Sequence, residues 1–398
     1  MRSALITTIS IFLGSMLGGC NHPSKTTLSA LIVQGPEGDV LKNLATQTAV
    51  PLEVEELPYA DLFDREAGLE QKGGIDLVLL DDPWIPRFAR HLEPLPEDAD
   101  IRQFPDNSRN ICIRPGETRM RALPLVGNVQ LFFYNERLCG SEAPKTWDEL
   151  KQLAKKIHSS GKAYGYVMRA ASGNSIVTDF FPLLWASGGD LDLGHDPPFT
   201  PTVEPAVKAL ELMLELGKLS PPGYSGFEAE EVADHMRNGT AAMGINWLAW
   251  TPAMPPQVIT ADLPAPNGKS MALLGIWVLA VPDNAPHKRE AKEFLKLLSR
   301  REAWLDRGGK PIAPLSPPAR LDMLQTGPFR EHAQRLGLAR PRPRSERWRE
   351  IEGILGFYLS QAHVGLLSAK DAIEEAQAKI RLLVQTTEAT GAPQGIGN

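Results

Sequence analysis

One stretch of the chain constrains its fold more than any other. Residues 122–135 begin with an extended Leu-Pro-Leu unit, because a residue before proline is pushed out of the helical region. The stretch continues with β-branched, leucine and aromatic residues, which predict a buried strand. Thr146-Trp-Asp-Glu149 then forms a capping box, and apolar residues follow it at helical spacing. We therefore expect a buried strand followed by a helix over 146–158.

Strand and helix patterns alternate after the N-terminal segment. Residues 28–33, 51–57 and 75–80 are strand-like, and helical patterns lie between them. This order predicts an α/β unit with a parallel sheet. Ligands of such sheets bind beyond the carboxyl ends of the strands, so 34–37 and 82–84 are expected at one mouth.

Length and charge narrow the class of protein. The 398 residues are enough for two or three domains. The net charge of −6 argues against a nucleic-acid binder, which would present a basic face. No run after the N-terminus is long and apolar enough to span a bilayer.

The N-terminus has the pattern of a targeting segment. Arg2 precedes a mostly apolar run over 4–17, and Leu17-Gly-Gly-Cys20 follows. This resembles a bacterial lipoprotein signal, which implies that residues 1–19 are removed and Cys20 is lipidated. Residues 20–27 would then tether the protein to a membrane surface. The alternatives are an uncleaved anchor and a cysteine that lies there by chance.

Two cysteines, Cys112 and Cys139, remain in the exported part of the chain. They flank the stretch described first, and a disulfide between them could brace it. Two free thiols are the equal alternative, because a sequence does not give the Cα separation. A nucleophilic cysteine is disfavoured, since no histidine lies in a recognisable partner context.

Several further motifs occur in a consistent order and carry a family resemblance. They are Asp82, Trp84, Phe88-Ala89, Leu92-Glu-Pro-Leu95, Leu123-Pro124, Tyr134-Asn135, Pro144-Lys-Thr-Trp-Asp-Glu149, Gly188-Gly-Asp190, Gly239-Thr-Ala-Ala-Met243 and Gly275-Ile-Trp277. This order resembles the extracellular solute-binding proteins of ABC importers, in the sugar-binding branch that includes maltose-binding-type proteins.

The resemblance implies an α/β, two-lobed periplasmic-binding-protein fold of type II, with discontinuous lobes joined by hinge crossings. Residues 28–130 and 259–315 would form the N-terminal lobe. Residues 131–258 and 316–385 would form the C-terminal lobe, and 386–398 a flexible tail.

Five tryptophans near predicted strand ends are candidates for stacking on a sugar. An indole has a flat apolar face and one donor, which suits the C–H face and hydroxyl rim of a sugar ring. The places of Trp84, Trp247 and Trp277 in the sequence favour a binding role for these three. Trp277 stands where the family has its tryptophan. For Trp185 and Trp250, binding and core packing are equal alternatives.

Polar candidates accompany these rings. They are Asp82, Asn128 and Asn246, with Glu37 as a weaker one, because carboxylates and amides pair with hydroxyl groups. The alternatives are a helix cap for Asp82 and a turn for Asn128. The resemblance adds Gly275, the first glycine of the family's Gly-Gly-Trp strand.

The chain also departs from the family pattern. Ile276 replaces the second glycine, and Ile312 and Ala313 follow Pro311 where many relatives carry an arginine. The resemblance therefore does not supply a sugar-contacting arginine here, and the pocket is expected to differ from that of well-matched relatives.

Enzyme motifs are not found in the sequence. Asp81 and Asp82 are adjacent on a predicted strand, so their side chains are expected on opposite faces, which disfavours a glycosidase pair. The Arg-Pro-Arg-Pro-Arg run at 340–344 is expected to be a solvated connector.

These inferences predict a substrate-binding lipoprotein that captures a small carbohydrate, an oligosaccharide or a sugar alcohol, and delivers it to ABC importer permease subunits. It would be a monomer without cofactor, metal or catalytic residue, held on a bacterial membrane at its periplasmic or extracellular face. The alternatives are a ligand-sensing lipoprotein of the same fold, expected beside a histidine kinase gene, and a carbohydrate-active enzyme, which would show turnover.

Overall fold

The computed structural model describes residues 26–114, 116–266, 270–312 and 316–389 of the chain. The predicted signal segment, the lipidation site Cys20 and most of the predicted tail lie outside the described residues. Within the described ranges, no helix combines the length and the apolar character needed to cross a bilayer.

The strands of the described residues are β1 (Leu28–Val33), β2 (Leu52–Leu57), β3 (Leu77–Asp81), β4 (Leu123–Asn135), β5 (Asp190–Leu191), β6 (Phe199–Thr200), β7 (Met243–Trp247), β8 (Val258–Ala261) and β9 (Leu274–Ala280). The α-helices are α1 (Pro36–Thr48), α2 (Tyr59–Lys72), α3 (Ile85–Phe88), α4 (Asp106–Ile111), α5 (Glu136–Cys139), α6 (Trp147–Ser159), α7 (Asn174–Ala186), α8 (Glu204–Gly217), α9 (Ala229–Arg237), α10 (Lys288–Leu298), α11 (Leu321–Leu324), α12 (Ala333–Leu338), α13 (Trp348–His363) and α14 (Ala369–Ala389). Helix α14 extends through 386–389, which were expected to belong to the tail.

One sheet contains all but two of these strands, in the order β2-β1-β3-β9-β4-β7, with β8 paired to β4. Strand β1 runs parallel to β2 and β3, so the predicted β-α-β-α-β unit is confirmed. The sheet as a whole is mixed, because β9 returns from the second half of the chain and pairs antiparallel with both β3 and β4. This insertion brings residues around 276 next to the end of β3.

Strand β4 is the long buried strand that the sequence predicts. All 13 of its residues are buried. Its first half pairs with β9, and its second half, from Gln130 onward, pairs with β7 and β8. One continuous strand therefore connects the two halves of the sheet.

The predicted helix starts are also present. The Thr146 hydroxyl accepts from the Glu149 amide at 3.2 Å at the start of α6, and the Ser368 hydroxyl accepts from the Asp371 amide at 3.1 Å before α14. Helices α7, α8, α13 and α14 pack on one another. The rings of Phe181 on α7 and Trp348 on α13 lie 6.0 Å apart in this layer.

The two cysteines in the described residues are free thiols, so the disulfide alternative is wrong. Each sulfur points to a different backbone carbonyl, Cys112 to Ser108 at 3.4 Å and Cys139 to Ala242 at 3.6 Å. Burial raises the pKa of Cys139 to about 12 and that of Cys112 further, so both thiols are protonated at neutral pH.

The predicted lobe boundaries stay a prediction, but the contacts of 316–339 bear on them. The Ala319 amide donates to the Leu125 carbonyl at 3.1 Å, and the Asn107 amide donates to the Leu336 carbonyl at 2.8 Å. This segment therefore lies along the start of β4 and beside α4, whereas α13 and α14 pack on α7 and α8.

Candidate functional site

A cavity of about 560 Å³ opens where β1, β3 and β7 end and where β4 and β9 pass. We call this cavity the cleft. Its lining consists of Val33, Gln34, Pro36, Glu37, Tyr59, Asp81, Asn128, Arg169, Asn174, Ser175, Glu228, Ala229, Trp247, Ala249, Trp250, Pro252, Ala253, Gly275, Trp277 and Arg342. Two hollows of about 640 and 590 Å³ lie elsewhere on the described surface, but neither is lined by a tryptophan or a tyrosine.

Four partly exposed aromatic rings line the cleft: Tyr59, Trp247, Trp250 and Trp277. Tyr59 and Trp277 meet edge to face, with 6.0 Å between their ring centroids. The structure thus brings together three of the five tryptophans that the sequence singled out. Their faces offer the flat apolar surface that a sugar ring can stack on.

Gly275 allows Trp247 to lie where it does. A Cβ atom at Gly275 would come within 2.9 Å of Cζ3 and 3.1 Å of Cη2 of the Trp247 indole. The indole therefore packs on the bare backbone of β9, and any side chain at 275 would push it away. Both residues line the cleft, so this glycine sets the position of one of its rings.

Trp84 does not line the cleft, contrary to the expectation. Asp82–Trp84 form a 3₁₀ turn that carries the indole under the sheet end, where Trp84 is only 1% exposed. Its ring packs against Tyr59 at 5.1 Å and Trp277 at 6.1 Å. Trp84 therefore supports two of the lining rings from behind.

Trp185 and Asn246 also lie outside the lining. Trp185 is buried, donates from its indole nitrogen to Asp190 at 3.0 Å and lies under the Arg340 guanidinium at 4.7 Å. Asn246 is buried, its amide donates to the Ala229 carbonyl at 2.8 Å, and its oxygen accepts from the Trp247 amide at 2.8 Å. Asn246 thus holds the backbone that carries Trp247.

Asp81 and Asp82 do not point to opposite sides, which corrects another expectation. Nη2 of Arg342 donates to Asp81 Oδ1 at 2.7 Å and to Asp82 Oδ2 at 3.0 Å. The 3₁₀ turn begins at Asp82, so the alternation of an extended strand ends there. Asp81 lines the cleft, whereas Asp82 lies behind it and also accepts from the Ile276 amide at 2.9 Å.

The Arg-Pro-Arg-Pro-Arg run is not a solvated connector. Arg340 pairs with Asp190, and Arg344 donates to the carbonyls of residues 110, 111 and 113 at 2.8–3.1 Å. Arg342 between them is 3% exposed. Each of the three arginines has a separate set of acceptors.

A hydrogen-bond chain extends from Asp81 across the cleft wall. The Tyr59 hydroxyl donates to Asp81 Oδ2 at 2.9 Å, and the Asn174 amide donates to the Tyr59 oxygen at 3.1 Å and to Glu352 Oε1 at 3.0 Å. The sequence did not mark Tyr59, Asn174 or Glu352 as candidates, and it drew attention to Asp81 only as the neighbour of Asp82. The chain connects α2 with α7 and α13.

Arg169 forms a second buried group of charges. It pairs with Asp179, and Nη2 donates to the Thr178 hydroxyl at 3.0 Å. Its guanidinium also lies 5.0 Å from the centre of the Trp247 ring, an attractive cation–π arrangement. No local motif in the sequence marks Arg169 as part of a site.

Three more lining groups are polar. The Asn128 oxygen accepts from the Val129 amide at 3.1 Å and the Ala249 amide at 3.2 Å. Glu37 is half-buried in the first turn of α1. Glu228 caps α9 and accepts from the Ser175 hydroxyl.

Burial shapes the protonation of the acidic groups in and behind the cleft. It raises the pKa of Glu37, and it raises the pKa of Asp82 to about 6 although Arg342 opposes the shift. Burial also raises the pKa of Asp179 and of Glu352, again against a neighbouring arginine. In each of these groups, burial disfavours the charged carboxylate.

The sequence of this chain matches that of a known protein family. The family model described as "Bacterial extracellular solute-binding protein" matches residues 34–303. Among curated proteins, a probable amino-acid ABC transporter periplasmic-binding protein, y4oP of Sinorhizobium fredii, is 27% identical over 52% of this chain and 48% of its own length. The chain thus matches about half the length of that relative.

Solved structures share the fold. Maltose-bound MalE3 of T. maritima superposes with a TM-score of 0.76 at 25% identity, covering 90% of this chain and 99% of that one. A solute-binding protein of Thermotoga lettingae bound to α-D-tagatose gives 0.75 at 23% identity, with the same coverage. The predicted two-lobed, maltose-binding-like fold is confirmed. This chain belongs to the family of bacterial extracellular solute-binding proteins.

Proposed function

We propose that this protein captures a small carbohydrate in the cleft and delivers it to the permease of an ABC importer. The observation that carries the proposal is the set of three indoles and one phenol that line a single cavity, with fixed polar groups between them. Stacking on the rings would bury the apolar faces of a sugar, and Asn128, Asp81 and Arg342 would pair with its hydroxyl rim.

Closure of the lobes would follow from binding. A ligand stabilises the closed state only through contacts that it gains there. Tyr59 and Asn174 lie on different helices and both line the cavity, so a ligand held in it could contact both. Micromolar affinity would need roughly 8 kcal/mol, which a few stacked rings and buried hydrogen bonds can supply.

An amino acid is the second candidate ligand, because the relative y4oP is named for amino-acid transport. The carboxylate of a free amino acid would need a cationic receptor. Both lining arginines are already engaged, Arg169 by Asp179 and Arg342 by Asp81 and Asp82. We therefore favour a carbohydrate, and amino acids serve as the comparison set in the experiment.

Membrane attachment through Cys20 completes the proposal. A lipidated cysteine would hold the binding protein near its permease. Expression of the full chain should place the protein in the membrane fraction, and Cys20→Ser should release it to the soluble exported fraction. Membrane retention of the Cys20→Ser protein would overturn the anchor.

The binding proposal is tested with a thermal-shift screen of monosaccharides, disaccharides, sugar alcohols and amino acids. Ligand at 100 times its Kd stabilises a protein by about 2.7 kcal/mol, so a true ligand gives a clear rise in Tm. We expect hits among the carbohydrates, recovered unchanged after incubation. Hits only among amino acids, or breakdown of the carbohydrate, would overturn the proposal.

A further inference from the structure

The charges of the cleft are not balanced, and the imbalance concerns its carboxylates. The two lining cations are neutralised from behind: Arg169 by the buried Asp179, and Arg342 by Asp81 and Asp82. Neither guanidinium is therefore available to offset a further negative charge.

Two lining carboxylates, Glu37 and Glu228, form no ion pair with any described residue. Glu37 lies in the first turn of α1, and Glu228 is the cap of α9, so both sit at helix N-termini, which favour anions. The Ser175 hydroxyl donates to Glu228, and Tyr59 donates to the neighbouring Asp81. These contacts orient the carboxylates but bring no positive charge.

On the lining itself, three carboxyl groups, Glu37, Asp81 and Glu228, face the two guanidiniums of Arg169 and Arg342. These guanidiniums also pair with the buried Asp179 and Asp82 behind the wall. A neutral ligand that excluded water from this cleft would leave the excess negative charge desolvated. A cationic ligand would offset it.

The aromatic rings of the lining also favour a positively charged ligand. The faces of Trp247, Trp250, Trp277 and Tyr59 attract cations, and the Arg169 guanidinium already lies against Trp247. Acidic groups and indole faces in one cavity are complementary to an ammonium group on an otherwise hydroxylated ligand.

We propose that the cleft selects polyhydroxylated ligands that carry a protonated amine, such as amino sugars, with Glu37 as the main receptor of the ammonium group and Glu228 as the second. This inference rests on the proposed function and names the ligand class of the same site. Burial raises the pKa of Glu37, and a cation bound beside it would favour the charged carboxylate that burial disfavours.

The test uses matched carbohydrates that differ only in the substituent on carbon 2. Cellobiose, its diamino analogue chitosan disaccharide and the neutral N,N′-diacetylchitobiose form one series; glucose, glucosamine and N-acetylglucosamine form another. Calorimetric titration at pH 6.5 gives the affinity. We expect the amine of at least one series to bind at least tenfold tighter than both neutral partners.

Two variants and a control locate the receptor. Glu37→Gln should reduce the preference for the amine at least tenfold, and Glu228→Gln should reduce it less. Glu97→Gln, whose side chain is 84% exposed far from the lining, should leave the preference unchanged. An unchanged preference in both Glu37→Gln and Glu228→Gln would overturn the assigned receptors.

The outcomes separate this inference from the proposed function. If the neutral members bind as tightly as the amines, or tighter, the inference is wrong and the carbohydrate proposal stands. If no member of either series binds and the screen of neutral sugars also finds no ligand, both are wrong.

Discussion

Nη2 of Arg342 donates to Asp81 Oδ1 at 2.7 Å, although the two residues lie 261 positions apart in the chain. Asp81 ends β3 and lines the cleft, whereas Arg342 belongs to the segment between α12 and α13. This contact therefore ties the late part of the chain to the sheet end that forms the cleft. It also means that the geometry of the cleft depends on a buried ion pair.

Loss of Arg342 should destabilise the protein. Arg342→Met leaves Asp81 and Asp82 buried without their cation, and breaking a buried pair on one side costs about 3–5 kcal/mol. Urea denaturation measures the loss. The matched control is Arg289→Met, because the Arg289 side chain is 87% exposed and its one ion pair among the described residues is with its neighbour Glu290. The control should change stability by less than about 1 kcal/mol, and equal losses in both variants would contradict the account.

Gly275→Ala should weaken ligand binding. The new Cβ would lie 2.9 Å from Trp247 Cζ3 and would push the indole off β9. We expect the Kd for a ligand found by the screen to rise about tenfold or more, measured by calorimetry. Gly337→Ala on α12 is the control, because no atom lies within 4 Å of its added Cβ. Unchanged affinity in Gly275→Ala would show that the position of Trp247 does not matter for binding.

Glu66 gives a prediction about pH. It is buried on α2, and neither carboxyl oxygen has a hydrogen-bond partner among the described residues. Burial, with a smaller effect of Asp81, raises its pKa well above the ordinary value. The folded state therefore binds this proton more tightly than the unfolded state, and its contribution to stability is lost as pH rises above the unfolded pKa, near 4.5.

Glu66→Gln removes this dependence on pH. The gain in free energy of unfolding relative to wild type should be near its minimum at pH 4 and should grow toward pH 8. The reason is that the free energy of unfolding of the wild type falls as pH rises, because the unfolded state loses the Glu66 proton before the folded state does. Urea titrations of both proteins across this range measure the difference. A gain that stays constant or falls with pH would contradict the raised pKa of Glu66.

Reduction should leave the protein unaffected. Because Cys112 and Cys139 are free, dithiothreitol should not change the Tm, and both thiols should react with an alkylating reagent after unfolding in urea. In the folded protein the fully buried Cys112 should react more slowly than Cys139. A drop in Tm on reduction, or loss of alkylation without reductant, would indicate a disulfide.

The sequence predicts the backbone of this protein well because the signals are local. The buried run of β4, the capping box at Thr146 and the alternation from β1 to β3 each depend on residues within one element. Gly275 and Trp277 were placed by family resemblance, and both line the cleft.

The parts that the sequence did not reveal depend on distant partners. Arg342 looks like part of a solvated basic loop until β3 brings Asp81 and Asp82 to it. Trp84 looks like a loop residue at the mouth, but the 3₁₀ turn at Asp82–Trp84 rotates it into the core. Arg169 carries no motif, and its role follows only from its contacts with Asp179 and Trp247.

Titration of wild-type and Trp247→Ala protein with a carbohydrate ligand from the screen tests the central claim most directly. The account predicts that loss of this indole raises the Kd about ten- to hundredfold, equal to about 1.4–2.8 kcal/mol. Phe357→Ala, which removes a 53% exposed ring on α13 outside the cleft, should bind like wild type. A Trp247→Ala protein that binds the ligand as tightly as wild type would contradict the claim that these rings form the binding site.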